Sequence, residues 1–164
     1  MFDDVQLIAG TYARLGGTGL VSLVLGGDDM RVGAPVGNVS DASFGLWSTH
    51  WQRFFFVVEQ DEGQVAAWEE SSGDTTETAA TKGSAPCHLA LDPDERLLAV
   101  ANYENGSVAL FRIDLQVSPP LRTANRQLVG HGLDPDRQAG PHAHWVGFGG
   151  GGNWLYVVDL GADR

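Results

Sequence analysis

The chain has 164 residues, 43% of them apolar and 19% charged, with 22 Gly and 7 Pro, a composition that suits a turn-rich globular protein and excludes a disordered one. A formal net charge of −11 argues against nucleic acid or an anionic membrane as a partner, because both would be repelled at long range. A single cysteine, Cys87, excludes an intrachain disulfide and a cysteine-rich metal site, and fits a reducing cytoplasm.

The N-terminus, Met1-Phe2-Asp3-Asp4, carries acid where a secretory leader carries Lys or Arg, and no apolar run approaches the roughly 18 residues of a membrane span. A cytoplasmic, unexported protein is expected. Residues 5–12 and 19–25 then read as a hairpin, and residues 1–41 as a first blade or closing strand. From residue 42 the chain repeats itself. A first strand around Phe44 leads to Arg53; Phe54-Phe55-Phe56-Val57-Val58 follows, and Gly63-Gln64-Val65-Ala66-Ala67-Trp68 closes the meander. Residues 70–84 are small and polar and read as a solvated outer strand with flexible connections.

The second unit repeats the plan as Pro86-Cys87-His88-Leu89-Ala90-Leu91, then Leu97-Leu98-Ala99-Val100-Ala101-Asn102, then Gly106-Ser107-Val108-Ala109-Leu110-Phe111. Pro93 in Asp92-Pro93-Asp94-Glu95 suits a type I turn, and Asn105-Gly106 predicts a two-residue hairpin. The third unit starts at His142-Ala143-His144-Trp145-Val146 and continues, after Gly149-Gly150-Gly151-Gly152, as Trp154-Leu155-Tyr156-Val157-Val158-Asp159. Arg53 lies 43 residues before Arg96, and a period in the forties is blade-sized. The expected fold is therefore all-β: a propeller of four-stranded antiparallel blades, with blades over 42–84 and 85–127 and the start of another over 128–164. The five Trp and the Phe54-Phe55-Phe56 run are expected to pack between blades. Propellers typically close with four to eight blades, so about three units leave the ring open, with blade faces exposed to self-association.

Gln138-Ala139-Gly140-Pro141-His142-Ala143-His144 and Asp159-Leu160-Gly161-Ala162-Asp163-Arg164, with Gly10-Thr11-Tyr12 and Ala101-Asn102-Tyr103, resemble the seven-bladed lactonase family, which includes bacterial 6-phosphogluconolactonases and fungal carboxy-cis,cis-muconate cyclases. The resemblance covers almost the whole chain but only the N-terminal half of the family's length. It implies hydrolysis of 6-phosphogluconolactone in the pentose phosphate pathway without a cofactor, and a small sugar lactone or other anionic lactone as partner. Muconate cyclase activity, or a non-enzymatic interaction module, is the alternative. The implied site places the His of Gly-Pro-His-x-His at one channel mouth beside an Arg and a Glu from the following blade. That Arg and Glu would fall after residue 164, so this stretch alone is expected to be inactive.

Lactone hydrolysis requires a base or acid near neutral pH, which selects His142 and His144 as catalytic candidates; two apart on a strand, they should face the same way. Arg137 and Arg164 are candidates for holding a phosphate or carboxylate, with Asp159 as a further substrate-binding or orienting residue. His-x-His lacks a third clustered ligand, so no metal is expected.

Overall fold

The computed structural model describes residues 4–27, 29–70, 76–114 and 117–164. The structure is all-β: thirteen strands among the described residues, and one 3-10 turn at Ala13–Leu15. The first sheet joins β1 (Val5–Gly10), β2 (Leu20–Gly26) and β3 (Asp29–Gly37). The second holds β4 (Ala42–Ser48), β5 (Arg53–Val58), β6 (Gln64–Trp68) and β7 (Thr76–Ala80). The third holds β8 (Pro86–Leu91), β9 (Leu97–Asn102), β10 (Ser107–Asp114) and β11 (Val117–Gln127), and the fourth pairs β12 (Ala143–Gly149) with β13 (Trp154–Asp159). Every sheet is an antiparallel meander in chain order. Of the expected polar outer segment, residues 71–75 lie outside the described residues, and Thr76–Ala80 is the outer strand β7. Among the described residues no helix is long and apolar enough to cross a membrane.

Side chains of a strand alternate between the two faces of its sheet, and that alternation stacks these sheets. Phe55 and Val57 of β5 meet Leu98 and Val100 of β9 in one core cluster, whereas Phe56 and Val58 turn back to Leu20 and Val39. Ala99 and Ala101 of β9 face the other way, onto Ala143 and Val146 of β12. A middle strand is therefore buried on both faces, which explains the unbroken apolar runs at 54–58 and 97–101.

One turn differs from expectation. The β9–β10 connection is four residues, 103–106, because Tyr103 O accepts the Gly106 amide at 3.3 Å and only Gly106 takes positive φ (+60°). Asparagine at 105 caps the turn instead, with Oδ1 accepting from the Ser84 amide and Ser107 Oγ. The Trp residues also divide. Trp68 is fully buried between the first and second sheets, but Trp47, Trp145 and Trp154 are exposed. Trp154, Tyr156 and Val158 share the face of the fourth sheet turned away from the third, whereas the ring of Trp145, on the same side of β12, reaches His88 of the third sheet at 5.7 Å between centroids. Gly150, Gly151 and Gly152 all take positive φ, a turn open only to glycine at reasonable cost.

At the opposite end of the sheets from the β9–β10 turn, Glu95 ties the second sheet to the third. Ser48 Oγ and the His50 amide (3.0 Å) donate to its Oε2, and Trp51 Nε1 donates to its carbonyl. Partial burial pushes the Glu95 carboxyl up, but the bonds from Ser48 and from the His50 and Thr49 amides outweigh it and hold the group below its ordinary value of 4.5. A depressed folded-state value means that the unfolded chain binds the proton more readily, so this contribution is present above pH 4.5 and lost as pH falls through the lowered value. Glu95→Gln is expected to cost about 1 kcal/mol at pH 7, after allowing for solvent screening of a partly exposed carboxylate. Urea denaturation across pH should show the gap to wild type closing in acid; a pH-independent gap would contradict the account.

Candidate active site at the seam of the third and fourth sheets

The residues singled out by sequence gather where β9 and β13 end and β12 begins. The Gly140-Pro141-His142 segment enters between two glycines. A Cβ on Gly106 would stand 2.2 Å from Pro141 O, and one on Gly161 would stand 1.9 Å from Gly140 O and 2.7 Å from His142 N. Only glycine at both positions lets the backbones approach this closely. The His142 amide donates to Asp159 Oδ1 at 2.8 Å, and its carbonyl accepts the Leu160 amide at 2.9 Å. Cys87 Sγ lies 3.6 Å from Ala143 O and 3.5 Å from His144 O, joining β8 to the start of β12. Burial, followed by the charge of Glu59, pushes the Cys87 thiol up to about 11, so it stays protonated and fit to donate.

His142 is half-buried, with its ring stacked on Tyr103 at 4.6 Å between centroids and 22° between planes. Its Nδ1 lies 2.9 Å from the Tyr103 carbonyl oxygen, which only accepts, so Nδ1 carries a proton and Nε2 holds the lone pair of the neutral ring. His144 is exposed and meets the same Tyr103 ring edge-on at 5.8 Å. Simple alternation does not bring the two imidazoles together. His142 precedes β12, and His144 is the extra residue of a bulge, since Ala143 pairs with Asp159 and Trp145 with Val158. Bulges re-aim side chains, and here both rings reach Tyr103. The edge strand β8 carries the same bulge at Cys87, and β4 is bulged between Ala42 and Gly45.

Asp159 is 2% exposed, and its Oδ1 accepts the amides of His142, Gly161 (3.0 Å) and Ala162 (3.1 Å). Its Oδ2 lies 3.9 Å from Arg164 Nε, whose side chain is half-exposed. Arg137 is exposed on the loop leading to His142, where its amide donates to Asp134 Oδ1 at 3.2 Å. The seam thus joins His142, His144, Asp159 and Arg164, with Arg137 on the neighbouring loop.

Two further groups stand at this end of the sheets: Tyr12, which sequence reasoning left as part of a motif, and His88, which the sequence places at a strand start equivalent to Trp145 with a core or channel-lining role. Tyr12 donates to Glu59 Oε2 at 2.7 Å, and burial followed by that contact pushes its phenol up. His88 lies between Phe44 (4.3 Å) and Trp145 (5.7 Å) and accepts the Val146 amide at Nδ1. Burial, then the nearby His144, lowers its affinity for a proton. Phe44, His88 and Trp145 stand at one position in successive units; the repeat showed the equivalence of His88 and Trp145, and the register adds Phe44. Among the described residues no three His, Cys, Asp or Glu side chains cluster closely enough to hold a metal ion. A cavity of about 910 Å³ opens between the first and second sheets, lined by Ile8, Val24, Val36, Phe44 and Phe56, and it includes neither His142 nor His144.

The family profile described as "Lactonase, 7-bladed beta-propeller" matches residues 6–164. A 6-phosphogluconolactonase of Bacillus subtilis is 29% identical over 94% of this chain and 46% of its own length. A Lactobacillus plantarum protein of solved structure is 25% identical, with a TM-score of 0.84 over 98% of this chain and 47% of that one. The periplasmic gluconolactonase of Pseudomonas aeruginosa, at 24% identity and a TM-score of 0.82 over 98% of this chain and 48% of that one, shares the fold. The chain thus spans about half the length of the curated relatives it matches. Matched across nearly all of its four sheets, it belongs to the lactonase family of seven-bladed β-propellers.

Proposed function

We propose that the protein hydrolyses 6-phosphogluconolactone to 6-phosphogluconate, as a cytoplasmic enzyme of the pentose phosphate pathway, and that this stretch supplies its base. The observation that carries the reading is the tethered imidazole of His142: with Nδ1–H bound to the Tyr103 carbonyl, Nε2 is the atom left to take a proton. In the proposed reaction, Nε2 accepts a proton from water while the water oxygen bonds to the lactone carbonyl carbon and the carbonyl electron pair moves onto its oxygen. Collapse of the tetrahedral intermediate re-forms the carbonyl, breaks the ring C–O bond and returns the proton from His142 to the departing ring oxygen. The products are an alcohol and a carboxylic acid, which ionises to solvent. His144, beside it on Tyr103, donates to the developing oxyanion.

Arg164 and Arg137 are the proposed partners of the substrate phosphate, since a guanidinium fork matches its oxygens. Asp159 touches no substrate in this scheme; it holds the His142 backbone and steadies Arg164. With a formal charge of −11, the protein needs such local cations to admit an anionic substrate.

In the protein carrying this sequence, His142→Ala is expected to lower kcat for 6-phosphogluconolactone by about 10²-fold to 10⁴-fold, the usual contribution of a positioned base. His144→Ala should lower it less. Acid release followed at constant pH measures both, and wild-type turnover retained by His142→Ala would refute the assignment. For this stretch taken by itself, self-association is proposed through the exposed face of Trp154, Tyr156 and Val158. Light scattering should report a mass above that of one chain; a strictly monomeric mass at micromolar concentration would contradict this.

A further inference from the structure

Tyr103 is the residue on which both imidazoles converge, and it does so through three separate contacts. Its carbonyl accepts from His142 Nδ1 at 2.9 Å, its ring face carries the His142 ring at 4.6 Å, and its ring edge meets His144 at 5.8 Å. The residue is itself fixed before it can fix anything else. Its amide donates to Ala85 O at 2.9 Å and the following Glu104 amide to Ser84 O at 3.2 Å, both across the third sheet's own edge. Its carbonyl also closes the turn to Gly106, the glycine whose missing side chain admits Pro141. One short turn of the third sheet therefore makes room for the histidine segment and sets the direction in which that segment's rings point.

We propose that Tyr103 is a positioning residue for the two histidines: its carbonyl holds His142 in the Nδ1–H tautomer, and its ring fixes the plane in which Nε2 of His142 and the ring of His144 are presented. The proposal deepens the lactonase reading and rests on it for its kinetic consequence, but not for its structural one. The free imidazole favours the other tautomer and rotates about its side-chain bonds, so an untethered His142 would present the wrong nitrogen in part of the population. The phenol hydroxyl takes no part in any of the three contacts, which separates the ring from the hydroxyl as the operative group.

The test pairs nitrogen-15 NMR of the histidine rings with lactone hydrolysis, on wild type, Tyr103→Phe and Tyr103→Leu. Wild type and Tyr103→Phe are expected to show His142 as the Nδ1–H tautomer with kcat within about twofold of each other. Tyr103→Leu keeps the main-chain carbonyl and removes only the ring, so it is expected to retain the Nδ1–H tautomer of His142, to show its ring signals shifted and broadened by motion, and to lower kcat by about tenfold to a hundredfold, the scale of an ångström-sized misplacement, with KM moving far less. A His142 held as the Nε2–H tautomer in wild type overturns the proposal even if Tyr103→Leu fails to fold. Unchanged ring signals and kcat in a folded Tyr103→Leu overturn it as well. Should wild type turn over no lactone while the difference in His142 ring signals between wild type and Tyr103→Leu persists, the lactonase reading fails and the positioning role stands.

Discussion

The constraint from which the rest of this structure follows is that a middle strand must bury both of its faces. β5 sends Phe55 and Val57 forward and Phe56 and Val58 back, and β9 sends Leu98 and Val100 back and Ala99 and Ala101 forward. Each large buried side chain contributes on the order of 2 kcal/mol through area removed from water, so the stack is held mainly by these faces. Alanine at 99, 101 and 143 has a second consequence. Small residues facing each other bring the third and fourth sheets close, and the seam between them is where the histidines sit.

At that seam the backbone does most of the positioning. Gly106 and Gly161 leave no Cβ in the path of residues 140–142, Asp159 receives the His142 amide, and the Leu160 amide closes onto the His142 carbonyl. The histidine reaching the site is thus held by main-chain bonds on one side and by Tyr103 on the other. Those bonds leave free one nitrogen of His142, the exposed ring of His144 and the outward guanidinium of Arg164, the groups to which the proposed reaction assigns roles. In the proposed reaction, preorganisation of this kind would remove the need to reorient groups.

Much of this was legible in the sequence, for physical reasons. The repeat of apolar runs and turn residues carries the meander, because strands buried on both faces cannot hide their composition. The Gly140-Pro141-His142-Ala143-His144 element carried the position of the site. What escaped was whatever depends on one sheet touching the next. Alternation put His142 and His144 on one face, yet they meet through a bulge at His144 that no local rule announces. Tyr103 read as the end of a strand, although its carbonyl and ring both contact His142. Asn105-Gly106 suggested the shortest hairpin, whereas Gly106 serves a four-residue turn and the close passage of Pro141. Trp145 and Trp154 looked like core by residue type, but a face is buried only where another sheet lies against it.

The claim that residues 140–144 form part of the packed seam, and are not a loop resting on it, can be measured by native-state amide hydrogen exchange. The His142 and Leu160 amides, bonded to Asp159 Oδ1 and His142 O, should exchange as slowly as the amide of Val100 in β9, through global unfolding alone. Exchange of those two amides at the fast rate of the exposed residues 133–137 would contradict the account.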